Sequence, residues 1–209
     1  MSGAPERRRP ARRGNIVLGI LRLARGRADG LDQFGYTVQA FLASLAPLVA
    51  VPLVGYLLLA LQGGAPARGG GELGALADLL GTACALLAAP VLSFELATLW
   101  RRQALWLRYA TALNWTQWAI PVLASVLLTV AYPVLAALLS ARWAIGTVGV
   151  AIIGYALWLH WFIACHGLSL SRPRAVLLVI VVNVVTGALV LGPRLLALGA
   201  QTGWAGHMG

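Results

Sequence analysis

Four polar side chains stand in otherwise apolar stretches of this 209-residue sequence and are the candidates for chemistry. They are Glu95, Asn114, His160 and Asn183. Ionisable side chains within a membrane are rare and usually functional, so Glu95 could be a proton or cation site. Three arginines follow Glu95 closely, and we prefer the structural interpretation, an ion pair with one of them. These arginines are Arg101, Arg102 and Arg108.

The spacing of His160 and His166 does not predict a metal site. The two residues are six positions apart, which places them about 240° apart around a helix. Helical zinc ligands are instead separated by three or four positions and are joined by further ligands. We therefore predict a packed, hydrogen-bonded His160, no metal and no cofactor. Because no Ser/His/Asp set at matching depth and no hydrolase-like carboxylate pair is present, the sequence predicts no catalytic residue.

Asn114 and Asn183 have two interpretations. As structural residues they hydrogen-bond between helices, with about 0.6–2 kcal/mol from each bond. As functional residues they line one polar pocket in the inner leaflet together with His160. Helix–helix contact is the simpler interpretation, and the pocket stays open as the alternative.

The composition points to a lipid environment for these residues. Hydrophobic residues make up 60% of the chain and charged residues 11%, against about 25% charged residues in soluble domains. The formal net charge of +10 comes from an N-terminal arm and short loops, as the positive-inside bias of membrane proteins predicts. Nucleic-acid binding is not predicted, since it requires a basic face on a water-soluble fold.

The apolar runs predict an all-α integral membrane protein. A helical crossing needs about 20 apolar residues, and the sequence divides into a disordered basic arm (1–14), an interfacial amphipathic helix and turn (15–33), a transmembrane domain (34–196) and a flexible tail (197–209). Residues 104–140 would extend roughly 55 Å as one helix, so we expect 104–113 to lie along or enter the interface. The transmembrane domain is predicted to be a bundle of about five helices, with spans near 38–61, 73–100, 116–139, 144–166 and 175–191.

The arginine distribution predicts the orientation of the bundle. With the N-terminus inside, thirteen arginines fall on the inner side and three on the outer side, which favours a cytoplasmic N-terminus and a periplasmic C-terminus. The topology determinants in short loops are Arg101, Arg102, Arg108, Arg172 and Arg174. Tryptophans collect at membrane–water interfaces, and the predicted interfacial anchors are Trp100, Trp106, Trp115 and Trp118.

Three stretches of the sequence carry a resemblance to known proteins. They read ILRLARGRADGLDQFGYTVQAFLASL, RYATALNW and WLHWFIACHGLSLSRPRAVLLVIVVN. Together they resemble a group of small alphaproteobacterial membrane proteins and the five-span architecture of Yip1-like proteins, over about Ile16 to Leu196. The resemblance implies a location in the bacterial inner membrane, a cytoplasmic N-terminus and membrane-organising or adaptor roles. It brings no catalytic residue.

Three function hypotheses follow. The first is a non-enzymatic scaffold, assembly or membrane-organising factor that acts through helix packing, with the lipid bilayer and a second copy or another membrane protein as partners. The second is a small oligomeric transporter or channel, with Glu95, Asn114, His160 and Asn183 around a polar path. The third is a membrane enzyme that acts on lipid. Sparse polarity within the spans favours the first.

Overall fold

The computed structural model describes residues 14–46, 84 and 87–205 of the chain. The basic arm up to residue 13, most of the first two predicted spans and the end of the tail lie outside these residues. Within the described ranges every regular element is helical. This agrees with the predicted all-α class, because a chain in lipid must satisfy its backbone hydrogen bonds internally.

The N-terminal part forms a helical hairpin. Helix α1 is Ile16–Ala24, and the Asn15 side chain caps it by accepting a hydrogen bond from the Leu18 amide at 3.1 Å. Gly26 adopts φ 71° and ends α1, in the left-handed conformation that glycine adopts without strain. A 3-10 helix, Ala28–Gln33, then returns along α1. We call residues 16–33 the N-terminal hairpin.

The next two helices in the described residues are α2 and α3. Helix α2 covers residues 38–46, and α3 is Leu87–Leu99. Helix α3 ends with Arg101 at φ 58°, where the Arg102 amide donates to the Ala97 carbonyl at 2.7 Å. This is the bond that closes a Schellman-type helix end.

Residues Gln103–Leu138 form a long, interrupted helix of 36 residues. It consists of α4 (Gln103–Thr116), α5 (Ala119–Val126), a π-helical segment (Leu127–Ala131) and α6 (Tyr132–Leu138). The two prolines fit the interruptions, since Pro121 lies in the first turn of α5 and Pro133 in the first turn of α6, where an amide hydrogen is dispensable. The break at 117–118 is close to the predicted start of the crossing at 116.

Helix α7 is Ala141–Gly167 and α8 is Arg172–Ala205. The predicted fourth span at 144–166 lies within α7. Helix α8 continues past the predicted end at 191 and past Pro193, so the part of the predicted flexible tail up to Ala205 is helical. The turn between α7 and α8 repeats the geometry after α3, with Ser169 at φ 52° and the Leu170 amide donating to the Cys165 carbonyl at 3.1 Å.

The core lies around α4 and the C-terminal half of α7. Tyr109 of α4 packs so closely on α7 that a methyl group at Gly167 would stand 3.2 Å from the Tyr109 Cα. Helix α4 therefore packs on α7 within its first turns, and the location of residues 104–113 along or within the interface stays a prediction. The hairpin joins the same core through two buried side chains, Leu23 and Leu31, and Phe34, the residue directly after the hairpin, joins it too.

In the part of the chain that the structure describes, three helices are long and apolar enough to cross a membrane: Gln103–Leu138, Ala141–Gly167 and Arg172–Leu189. Among the described residues, Leu87–Leu99 is a shorter apolar helix. Large apolar side chains on the long helices are exposed, among them Val130 (64%) and Val150 (72%). Such a surface is unusual in water and normal in lipid, which agrees with a membrane protein.

Candidate functional site

His160 is the centre of a polar cluster between three helices, in which His160 and Tyr109 are buried and Asn183 is exposed. It lies on α7 with 9% of its surface exposed. Its Nε2 is 2.8 Å from the hydroxyl of Tyr109 on α4, and its Nδ1 is 3.2 Å from the side-chain nitrogen of Asn183 on α8. The same Asn183 nitrogen donates to the Val179 carbonyl at 2.8 Å. The cluster therefore connects α4, α7 and α8.

The hydrogen-bond donors fix the position of the imidazole proton. The Val179 carbonyl can only accept, so the Asn183 atom beside it is the amide nitrogen. That nitrogen has two hydrogens and gives the second to Nδ1 of His160. His160 must therefore be neutral, with its hydrogen on Nε2 donated to the Tyr109 oxygen. Both ring nitrogens are engaged, which leaves neither free to bind a metal.

A cleft of about 250 Å³ lies beside this cluster. Two helical stripes line it, each with the i, i+3, i+4, i+7 spacing of one helix face. Asn183 of α8 completes the lining. The stripe from α4 and α5 is Leu113, Thr116, Gln117 and Ile120, and the stripe from α7 is Ala156, Leu159, His160 and Ile163.

The structure brings His160 and Asn183 together and places the other two candidates elsewhere. Asn114 is buried and donates to the Ser44 hydroxyl at 3.0 Å, so it joins α4 to α2 and does not line the cleft. Glu95 is exposed on α3. Asn114 makes a helix–helix contact, whereas His160 and Asn183 make such a contact with each other and also line the cleft.

The predicted ion pair of Glu95 is not formed within the described part of the chain. Arg101 and Arg102 are exposed, whereas Arg108 binds Asp32 of the hairpin at 3.0 Å. Arg108 also lies over the Tyr36 ring, 5.6 Å from its centroid. Because Asp32 and Tyr36 are far from Arg108 in sequence, local spacing favoured Glu95 as its partner.

The predicted tryptophan anchors have different surroundings. Trp106 is half-buried, its indole donates to the Ser93 hydroxyl at 3.1 Å, and its ring is 5.0 Å from that of Phe41. Trp100 and Trp115 are also half-buried against the core, while Trp118 is exposed. Trp106 thus joins α2, α3 and α4. Arg172 and Arg174 are exposed at the start of α8.

Two residues of the site had not been singled out from the sequence. Tyr109 is fully buried, and its role depends on the contact with α7, which no local pattern reveals. Gln117 is an uncharged polar residue between Trp115 and Trp118 in an apolar run. That isolated amide was a signal that could have identified the cleft.

Comparisons with protein-family models, curated proteins and solved structures gave no match to this chain. Within the residues that the structure describes, no three His, Cys, Asp or Glu side chains come together as a metal site would require.

Proposed function

We propose that this chain is a non-enzymatic integral protein of the bacterial inner membrane that acts as a scaffold, assembly or membrane-organising factor through helix packing. The observation that supports it is the use of polar side chains as links between helices. Asn114 bonds Ser44, and Trp106 bonds Ser93. On α7, His160 bonds residues of α4 and α8, and the Tyr155 hydroxyl donates to the Ala24 carbonyl of α1 at 2.8 Å.

These links argue for a fixed bundle. A conducting path needs polar groups that can replace the hydration shell of a solute. Here the ring nitrogens of His160 and the side-chain nitrogen of Asn114 are already bonded to neighbouring helices. Bonds of this kind hold membrane helices in one arrangement, and a partner protein can then recognise the fixed outer surface.

The proposal includes five spans, a cytoplasmic N-terminus and a periplasmic C-terminus, as the arginine distribution and the resemblance to Yip1-like proteins indicate. It also places α1 at the inner interface. In support, Val17 and Leu21 are 65% and 45% exposed while Leu23 is fully buried, and Arg22 and Arg25 lie on the same helix end. Exposed apolar side chains beside arginine suit the boundary between head groups and lipid chains.

Native mass spectrometry of the tagged full chain, extracted gently from its own membrane, tests this function. We expect a stoichiometric partner protein, retained in the matched variant Glu95→Ala because Glu95 is exposed and forms no ion pair among the described residues. A homo-oligomer with no other protein would favour the transporter described below. Recovery of only a single copy with no bound protein would contradict the proposal.

A second candidate function is a small oligomeric transporter or channel. The cleft favours it, because His160, Asn183 and Gln117 face an open space between helices. Solute flux through proteoliposomes tests it, with His160→Ala compared with the wild type after both pass the same folding check. Flux that disappears in the variant would support transport, and equal flux or none in both would exclude it.

A further inference from the structure

The cleft differs from the rest of the helix surface because it gathers unused hydrogen-bonding groups. Helix α7 forms its floor, while α4–α5 and α8 form its sides. Apolar side chains such as Leu113 and Ile163 line about half of its wall, and polar groups line the rest. Small-molecule sites have this character, with apolar walls and a few placed polar groups that fix orientation.

The cleft has more free hydrogen-bond acceptors than free donors. Both hydrogens of the Asn183 amide are used, so only its oxygen remains, as an acceptor. The Thr116 hydroxyl donates to the Ala112 carbonyl and likewise keeps only acceptor capacity. The Gln117 amide has no partner among the described residues, so it offers an acceptor and a donor. Acceptors therefore outnumber donors, and a matching ligand must bring a donor.

The lining carries no charged side chain. A phosphate or ammonium group would enter without a counter-ion and lose its hydration, which is costly in apolar surroundings. A quinone has only acceptors and could be satisfied by the Gln117 amide hydrogens alone. A hydroxyl both donates and accepts, so it satisfies the Asn183 oxygen and the Gln117 amide together.

The size and opening of the cleft restrict the ligand further. Its volume of about 250 Å³ equals the space of roughly eight water molecules, enough for a glycerol-sized group and too little for a whole lipid. Trp118 and Val184, which adjoin lining residues in the sequence, are apolar and exposed, with 38% and 62% of their surface accessible. The acyl chains can therefore leave through the mouth along the lipid-facing surface.

We propose that this cleft binds the free hydroxyl head of an uncharged lipid of the diacylglycerol type, with Gln117 and Asn183 as its hydrogen-bonding partners. This site does not depend on the scaffold function proposed above.

Photolabelling of the purified full chain tests the site. The probe is a diacylglycerol with a diazirine in one acyl chain, and phosphatidic acid with the same chains is the charged comparison. Intact-protein mass spectrometry gives the labelled fraction. We expect Gln117→Leu to reduce diacylglycerol labelling about tenfold, equivalent to about 1.4 kcal/mol. Gln39→Leu, the same exchange at an exposed position of α2, should label like the wild type.

A second variant keeps the test decisive if Gln117→Leu does not fold. Ala156→Phe fills the floor of the cleft and removes no hydrogen bond, so it should block labelling while the chain elutes normally on size exclusion. Excess unlabelled diacylglycerol should compete, whereas the same concentration of free glycerol or of a quinone should not.

Three results would overturn the proposal. Equal labelling by phosphatidic acid would show that the head group is not recognised. Competition by glycerol or quinone would assign the cleft to a different ligand. Undiminished labelling in well-folded Gln117→Leu or Ala156→Phe would place the probe outside the cleft.

Discussion

Removing the Tyr109 hydroxyl isolates one bond of the polar cluster. Tyr109→Phe keeps the ring that packs against Gly167 and deletes only the oxygen that faces Nε2 of His160 at 2.8 Å. Tyr109 is fully buried, so water cannot replace that oxygen. The His160 N–H then loses its partner, which costs about 1–3 kcal/mol for a buried group. Hydrogen bonds between membrane helices average about 0.6 kcal/mol with a maximum near 1.7, so we expect a loss of about 1–2 kcal/mol.

The assay is reversible unfolding of the full chain in mixed detergent micelles, followed by near-ultraviolet circular dichroism. Tyr36→Phe is the matched control, since Tyr36 is 51% exposed and phenylalanine preserves the ring under Arg108. Tyr36→Phe should change the free energy of unfolding by no more than about 0.5 kcal/mol. A double-mutant cycle with Asn183→Leu should show coupling, because both residues act on the same imidazole. A Tyr109→Phe effect no larger than the control would refute the assigned bond between His160 and Tyr109.

Three further changes test the packing. Gly30→Ala places a methyl group 2.8 Å from the Gly19 carbonyl oxygen. We expect this overpacking to destabilise the protein by about 1–3 kcal/mol and to speed proteolysis of the hairpin. An unchanged digestion pattern would contradict the contact. Ser169→Gly relieves a left-handed residue at φ 52° and should raise the unfolding free energy by up to about 1 kcal/mol, whereas Ser169→Ala should not. Asn114→Ala removes the bond to Ser44 and should lower stability by about 0.6–2 kcal/mol, with cysteine cross-linking between α2 and α4 weakened in parallel.

The sequence was informative where one local property determines the structure. Continuous apolar runs predicted helices, and the run at 144–166 corresponds closely to Ala141–Gly167. Pro121 and Pro133 lie within the predicted crossing at 116–139, and the structure breaks the long helix near both of them. Neither pattern specified a π-helical segment, because that geometry depends on how neighbouring turns accommodate the missing amide hydrogens.

The pairing of polar side chains could not be read from the sequence in the same way. Asn114 and His160 both lie on helices whose apolar residues extend around most of the surface, so periodicity did not reveal which way each side chain points. The partner of Asn114 is 70 positions away in α2, and that of Arg108 is 76 positions away in the hairpin. Such pairs follow from helix packing, which a single sequence does not determine.

In the orientation proposed above, the position of the hairpin constrains where the membrane boundary on its side crosses α7. The hairpin reaches Tyr155 through the Ala24 carbonyl, and its turn at Gly26 lies beside Trp158. These α7 residues precede Gly167 by twelve and nine positions, which is about 14–18 Å along a helix. The guanidinium groups that flank Gly26 cannot remain in hydrocarbon. Because Arg25 and Arg27 flank Gly26, the boundary on that side of α7 dips from the helix end toward Tyr155 and Trp158. The same depth brings the cleft floor at Ala156 to the level of the lipid head groups, where the hydroxyl of a diacylglycerol is found.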